Sequence, residues 1–219
     1  MILYDIHTHS LKDDRQDTEV RYILNTSPVN FTSEKEKEIH NVWFSCGIHP
    51  WDADNTSSLD LLSGYVKDER VVAIGEAGLD KLKGPPIKTQ IEIFRSQIEL
   101  AVQEQKPLII HCVKAWDELI ALYKEYKTDL PWILHGFRGN SEQTKQLATL
   151  GFKFSIGEHF NKEAVTHIPL DSLFCETDMS DVSISNVYEA LSLDLQIDID
   201  LFVSEIDNNI RKYFKFVSE

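Results

Sequence analysis

The chain has 219 residues, of which 42% are hydrophobic and 26% charged, and a formal net charge of −14. This size and composition suit one soluble globular domain, residues 1–219, with a substantial core. The acidity argues against extended nucleic-acid binding and against an anionic membrane surface, although a bound dication would dominate its own surroundings.

No apolar run approaches the length of a membrane span. The N-terminus lacks the basic region of a signal peptide. Cys46, Cys112 and Cys175 are too few and too scattered for a disulfide framework. Each lies in an apolar run, so all three are expected as buried free thiols, which fits a reducing cytoplasm.

In chain order, Ile2–Ile6 reads as a short buried strand entering His7-Thr8-His9. Alternate side chains of a strand share a face, so Asp5, His7 and His9 point the same way. Ser10–Glu19 is polar, has no helical stripe and reads as a loop. Val20–Thr26 is the second strand, too close to the first for a full intervening helix. Ser33–His40 reads as a short charged helix with Ser33 as N-cap. Val42–Ile48 is the third strand, leading into His49-Pro50-Trp51. Leu59, Leu62 and Val66 space a helix over 57–67. Val71–Ile74 is apolar throughout, as a strand buried on both faces would be, and runs into Gly75-Glu76-Ala77-Gly78-Leu79-Asp80.

Beyond the Gly84-Pro85-Pro86 loop, Ile87, Ile91, Phe94, Ile98, Ala101 and Val102 trace one face of a long helix. Leu108–Ile110 forms a strand ending at His111. Trp116, Leu119, Ile120 and Tyr123 mark the next helix, and Trp132–Leu134 a strand ending at His135. Asn140 and Gln143 pattern a capping box for a helix ending at Gly151. Phe152–Ile156 is the seventh strand and 170–175 contains the eighth, ending at Glu176-Thr177-Asp178. Two helices close the chain, near 185–193 and 201–216.

Strand and helix patterns alternate from Val42 onward, the signature of a parallel sheet with covering helices. Eight strands favour a distorted TIM-like (β/α) barrel whose first helix is missing or vestigial. No Gly-x-Gly-x-x-Gly follows the first strand, which weakens a dinucleotide-binding reading.

His7, His9, His49, Glu76, His111, His135 and Asp178 all follow strands. In a βα barrel the C-terminal strand ends meet at one rim, where the active site sits. Each residue taken singly has a bland explanation: a turn at His49, a satisfied histidine at His111 or His135, a loop acid at Glu76, a cap at Asp178. Their joint placement favours a divalent-metal site, because a carboxylate directly after a buried strand is costly unless paired or ligated. His40, His159 and His167 lie in charged or helical surroundings and read as surface residues. Four histidines and two carboxylates can hold two divalent ions if one carboxylate bridges them. Such a pair makes hydroxide available near neutral pH and clamps a displacement, while a second carboxylate takes the proton. Mixed imidazole and carboxylate donors suit zinc or manganese, and magnesium where waters complete its shell.

With these residues in view, the chain resembles the TatD family of metal-dependent hydrolases, within the wider amidohydrolase-like barrels. The resemblance rests on six ordered motifs: Asp5-Ile6-His7-Thr8-His9, Gly47-Ile48-His49-Pro50, Gly75 to Asp80, Pro107 to Cys112, His135-Gly136-Phe137-Arg138-Gly139 and Glu176-Thr177-Asp178. It implies that His7, His9, Glu76 and Asp178 hold a first ion, and that Glu76 as bridge, His111 and His135 hold a second. It also implies phosphoester hydrolysis, with Asp178 as ligand and proton acceptor and single-stranded or damaged DNA as a substrate class. His49, Lys114 and Arg138 are the substrate-binding candidates. Val113 stands where the family usually has an arginine, and Ser180 where it has a proline; the loss of an arginine fork bears on phosphate recognition. Two other readings stand beside this one. The first is an amidohydrolase cleaving a C–N or C–O bond, since the same barrel serves that chemistry. The second is a metal-binding protein that has lost catalysis and acts through interactions. No membrane and no obligate protein partner is expected.

Overall fold

The computed structural model describes residues 2–11, 19–37 and 39–216. Eight strands follow one another in chain order in a single sheet, the parallel TIM-like arrangement that the alternating pattern implies. They are β1 (Ile2–Thr8), β2 (Glu19–Thr26), β3 (Val42–Cys46), β4 (Val71–Asp80), β5 (Leu108–Val113), β6 (Trp132–Leu134), β7 (Lys153–Ile156) and β8 (Leu173–Cys175). A parallel bridge between Thr8 and Asp178 joins the ends of the first and last strands. The helices are α1 (Phe31–Lys35), α2 (Ser57–Tyr65), α3 (Ile87–Glu104), α4 (Trp116–Tyr126), α5 (Ser141–Leu150), α6 (Lys162–Val165), α7 (Ile184–Leu195) and α8 (Ile199–Tyr213). Of the loop expected over Ser10–Glu19, where the first helix is missing or vestigial, residues 12–18 lie outside the described residues, and Glu19 belongs to β2. No helix among the described residues is long and apolar enough to cross a membrane.

The chain divides into two compact units. The first is Met1–Leu24 with Ile133–Tyr213; the second is Asn25–Trp132 with Phe214–Glu219.

In the first unit, Ile6, Phe154, Phe174 and Phe202 are fully buried. Burying such a side chain contributes about 1.5–3 kcal/mol. Tyr188 packs against Phe202, its hydroxyl donating to the Tyr4 carbonyl (3.1 Å) and accepting from the Tyr4 amide (3.2 Å). Helix α7 is thereby tied to the strand that carries the histidine pair. Asn209 of α8 donates its amide to the carbonyls of Leu170 and Leu173 and holds the entry to β8.

In the second unit, Trp132 lies edge-to-face against Phe94 and Tyr123, and Phe31 against Phe44. Strand β4 is buried over all ten residues, six more than its apolar run suggests. Glu76 therefore sits inside the strand rather than after it. The cause is the ladder to β5, which continues through Ala77–Ile110, Gly78–His111, Leu79–Cys112 and Asp80–Val113. In the same way β5 runs to Val113 and contains His111.

Other boundaries also move. Helix α1 starts at Phe31 with Asn30 as N-cap; Ser33 lies within it and donates its hydroxyl to the Asn30 carbonyl. In α3, Gln90 and Gln97 are buried alongside Ile93, Phe94, Ile98 and Ala101, whereas Val102 is exposed. Asn140 caps α5 as expected, its side chain accepting from the Gln143 amide, and Gly151 ends the helix in the left-handed conformation.

Cys46 and Cys175 are buried free thiols, while Cys112 is partly exposed because burial falls off toward the end of β5. Burial pushes the Cys46 and Cys112 thiols up to about 12, which disfavours the thiolate form of both.

One ion pair offers a stability test. Asp68 accepts from the Lys35 ammonium and from the Arg70 amide. Burial alone would raise its pKa, but these donors outweigh burial and hold the carboxyl below its ordinary value. A depressed carboxylate stabilises the fold above the unfolded pKa and loses that contribution as pH falls through the folded one. Asp68→Asn is therefore expected to lower the urea midpoint at pH 7, with the gap to the parent closing below about pH 4. A constant gap between pH 7 and pH 3 would show that the charge contributes nothing.

Candidate metal centre

Each unit carries its own cluster of imidazole and carboxyl groups. In the first, the backbone fixes the geometry. The Asp178 amide donates to the His7 carbonyl (2.9 Å), and the Asp178 carbonyl accepts from the His9 amide (3.2 Å). Asp178 adopts the left-handed conformation, φ 53°, and its Oδ1 lies 3.7 Å from His7 Nε2 and 3.4 Å from His9 Nε2. The His7 and His135 rings are 4.4 Å apart between centroids. One donor atom from each of His7, His135 and Asp178 lies within 4.8 Å of the others. His7 is fully buried, His9 exposed and Asp178 one-third exposed.

Asp5, fully buried beneath His7, accepts from the Thr177 amide (3.0 Å) and hydroxyl (2.6 Å). Burial pushes its carboxyl up to about 7 against the opposing pull of those two donors. It braces β1 against the segment that presents Asp178.

In the second unit, Glu76 is central. Its Oε1 lies 2.7 Å from His111 Nδ1 and 3.2 Å from His49 Nε2. The three residues again offer donor atoms within 4.8 Å of one another. The amide side chain of Asn25 accepts from the Glu76 backbone N–H (2.8 Å) and from the Ser45 hydroxyl, fixing Glu76 in its strand. Asp80 Oδ2 lies 3.4 Å from His111 Nε2 and accepts from the indole of Trp51 (2.7 Å), so carboxyls face both nitrogens of the His111 ring. Burial opposes Asp80 ionisation, but Trp51, the Leu82 amide and His111 outweigh it and hold this carboxyl below the usual range. The Lys83 ammonium lies 3.3 Å from the Trp51 ring centroid, a cation–π contact beside this cluster.

Of the residues singled out from the sequence, His7, His9, His135 and Asp178 come together in the first unit, and Glu76, His111 and His49 in the second. Lys114 and Arg138 are exposed and belong to neither donor cluster. His40 and His159 are exposed and His167 half-buried.

The sequence reading missed the residues that place these groups. Gln97 accepts from the Ile48 amide (2.8 Å) and donates to the Ile48 carbonyl (3.0 Å), fixing the backbone just before His49. Gln90 does the same for Asp80 (2.7 and 2.8 Å). Their signal was available: two glutamines one heptad apart on the apolar face of α3.

Imidazole nitrogens with carboxyl oxygens, converging over a few ångströms, form the donor set that first-row divalent cations prefer. The residues present therefore fit a divalent metal in each cluster. A parallel α/β barrel carrying such clusters has the architecture and the donor groups of a metal-binding protein. The TatD related DNase family matches residues 5–215, and the chain belongs to that family.

It is 35% identical over 150 residues to the Escherichia coli K12 uncharacterized metal-dependent hydrolase YcfH, an alignment covering 64% of this chain and 57% of that protein. It is 30% identical over 206 residues to the Bacillus subtilis uncharacterized metal-dependent hydrolase YabD, covering 81% and 80%. A third relative, 33% identical over 148 residues (62% of this chain, 57% of the relative), is the Edwardsiella piscicida 3′-5′ ssDNA/RNA exonuclease TatD. Among solved structures, the E. coli K12 TatD homologue YjjV superposes with a TM-score of 0.84 at 21% identity over 97% of each chain, which supports the fold.

Proposed function

We propose that this chain hydrolyses phosphoester bonds with two divalent ions, zinc, manganese or magnesium. The proposed ligands are His7, His9, His135 and Asp178 in the first unit and Glu76 and His111 in the second. The observation that carries this reading is the meeting of imidazole and carboxyl donors in each cluster, on a chain of the TatD family. When bound, the ions supply Lewis acidity toward a phosphoryl oxygen.

The chain's own groups do the rest. Asp178, one-third exposed, takes the proton of the attacking water and can pass it to solvent. Glu76, held by Asn25, keeps a carboxyl oxygen on His111. His49 faces the same oxygen and is proposed to contact substrate, with Lys114 and Arg138 as outlying cations. Val113, in place of an arginine, leaves phosphate recognition to those cations and to bound metal.

The substrate follows the relative named as an exonuclease: a single-stranded nucleic acid end is the first phosphoester to try. The test is an activity screen of metal-loaded protein against single-stranded DNA, nucleotides, a chromogenic phosphodiester and small amides. Phosphoester turnover that chelator abolishes is the expected result; turnover of amides alone would assign the site to C–N chemistry instead. If DNA is the substrate, its affinity should fall steeply with salt.

A further inference from the structure

We propose that Trp51 and Lys83 form a nucleotide subsite beside the second cluster, the indole stacking a base of single-stranded nucleic acid and the ammonium pairing with its phosphate. This rests on the phosphoester reading and names the substrate unit the site selects.

Trp51 is 41% exposed, yet its orientation is fixed from within. The indole N–H donates to the buried Asp80 carboxyl (2.7 Å), and the backbone amide donates to His49 Nδ1 (3.1 Å). The ring centroid lies 4.6 Å from that of His49 and 6.0 Å from that of His111. A flat ring already held at the edge of the donor cluster loses little freedom when a second flat ring stacks on it.

Lys83 is placed by its loop. Buried Gln90 donates its amide to the carbonyls of Asp80 (2.8 Å), Lys83 (3.2 Å) and Pro85 (2.8 Å). Gly84, at φ +89°, passes so close to residues 50–51 that a Cβ would lie 2.8 Å from the Pro50 oxygen and from the Trp51 Cα. The Lys81 amide donates to the Val113 carbonyl (3.0 Å), so the loop starts beside the position where the family usually has an arginine. The Lys83 ammonium rests over the Trp51 ring and forms no ion pair among the described residues. On a chain of net charge −14, an unpaired ammonium beside a cluster of metal donors is a local attraction for an anion.

Shielding Asp80 would call for an indole N–H, but not for an open ring carrying an unpaired cation. Stacking a base on an aromatic ring outweighs an exposed cation–π contact. The base therefore displaces the ammonium, whose flexible stem lets it move to a phosphate oxygen as a point charge.

The experiment is calorimetric binding of manganese-loaded protein to two phosphorothioate oligomers that resist cleavage, a pentathymidylate and an abasic chain of equal length and charge. Indole fluorescence is followed in parallel. The parent is expected to bind the pentathymidylate about 5–100-fold more tightly than the abasic chain, with quenching by the pentathymidylate alone. Trp51→Ala is expected to lose both the preference and the quenching. Trp51→Phe keeps a stacking ring and is expected to keep a preference while losing the quenching. Lys83→Ala is expected to weaken both oligomers and to flatten the slope of log affinity against log salt by about 0.7.

Equal affinity of the parent for the two oligomers overturns the proposal, whether or not any variant folds. So does a preference that survives Trp51→Ala, as it would if that change weakened both oligomers equally by disturbing Asp80 and His111. An unchanged salt slope in Lys83→Ala overturns it as well. Binding is read without turnover, so a chain that binds the pentathymidylate but cleaves no phosphoester would sink the proposed function and leave the subsite. A chain that cleaves small phosphoesters but binds neither oligomer would do the reverse.

Discussion

Replacing Asp178 by asparagine is expected to leave a folded protein whose metal-dependent phosphoester turnover falls by about 10²–10⁴-fold, the range for loss of a positioned general base. The backbone of this residue does structural work that the substitution preserves. Its amide and carbonyl bond to His7 and His9, and its φ of 53° is one that asparagine adopts readily. Only the carboxyl changes. Its Oδ1 is the oxygen near both His7 and His9, so the substitution removes the anionic charge of the proposed ligand and the proposed proton acceptor together. Asp5 cannot substitute, because it is fully buried and both of its oxygens already serve Thr177. Circular dichroism and thermal melting should be close to the parent, with initial rates collapsing. A variant within threefold of parental turnover would remove Asp178 from the mechanism.

The strands were legible because most are buried on both faces and so spelled as apolar runs. Val71–Ile74, Leu108–Ile110 and Trp132–Leu134 announce β4, β5 and β6 in this way. Their ends were not legible. Strand β4 continues through Gly75, Glu76 and Gly78, residues with poor strand propensity, because pairing with β5 rather than local preference holds them. Helix α1 was misplaced for a related reason. Ser33 has the chemistry of a cap, but the turn is set by Phe31, buried against Phe44 and Tyr65 from distant parts of the chain.

The candidate site divides along the same line. Its donors could be read because each follows or ends an apolar run. The groups that aim them could not, since their bonds span long sequence distances: Gln97 to Ile48, Asn25 to Glu76, Thr177 to Asp5. Side-chain bonds to a distant backbone leave no periodicity in the sequence, whereas burial does.

Gly78→Ala is expected to be the most damaging conservative change to the second cluster. Gly78 sits at φ +145°, a region that side chains rarely tolerate, and it pairs with His111 across the β4–β5 ladder. A Cβ there would lie 2.1 Å from the His111 carbonyl oxygen. That atom is backbone in a buried ladder and cannot swing aside. Dihedral strain of about 1–3 kcal/mol and overpacking of about 1–3 kcal/mol then act together, for a total of roughly 2–6 kcal/mol. For a chain of this length that corresponds to a thermal midpoint lowered by roughly 5–20 °C. The relief available is for β5 to move away from β4, and β5 carries His111. The 2.7 Å approach of Glu76 to His111 would open, so activity should fall even at temperatures where the variant remains folded. Gly64→Ala is the control. It lies within α2 with nothing within 4 Å of the added methyl, so a gain of about 0.5–1 kcal/mol is expected from helix propensity. If Gly78→Ala melted with the parent and kept its turnover, the two strands would have room between them, and the tight ladder could not be what sets the Glu76–His111 distance.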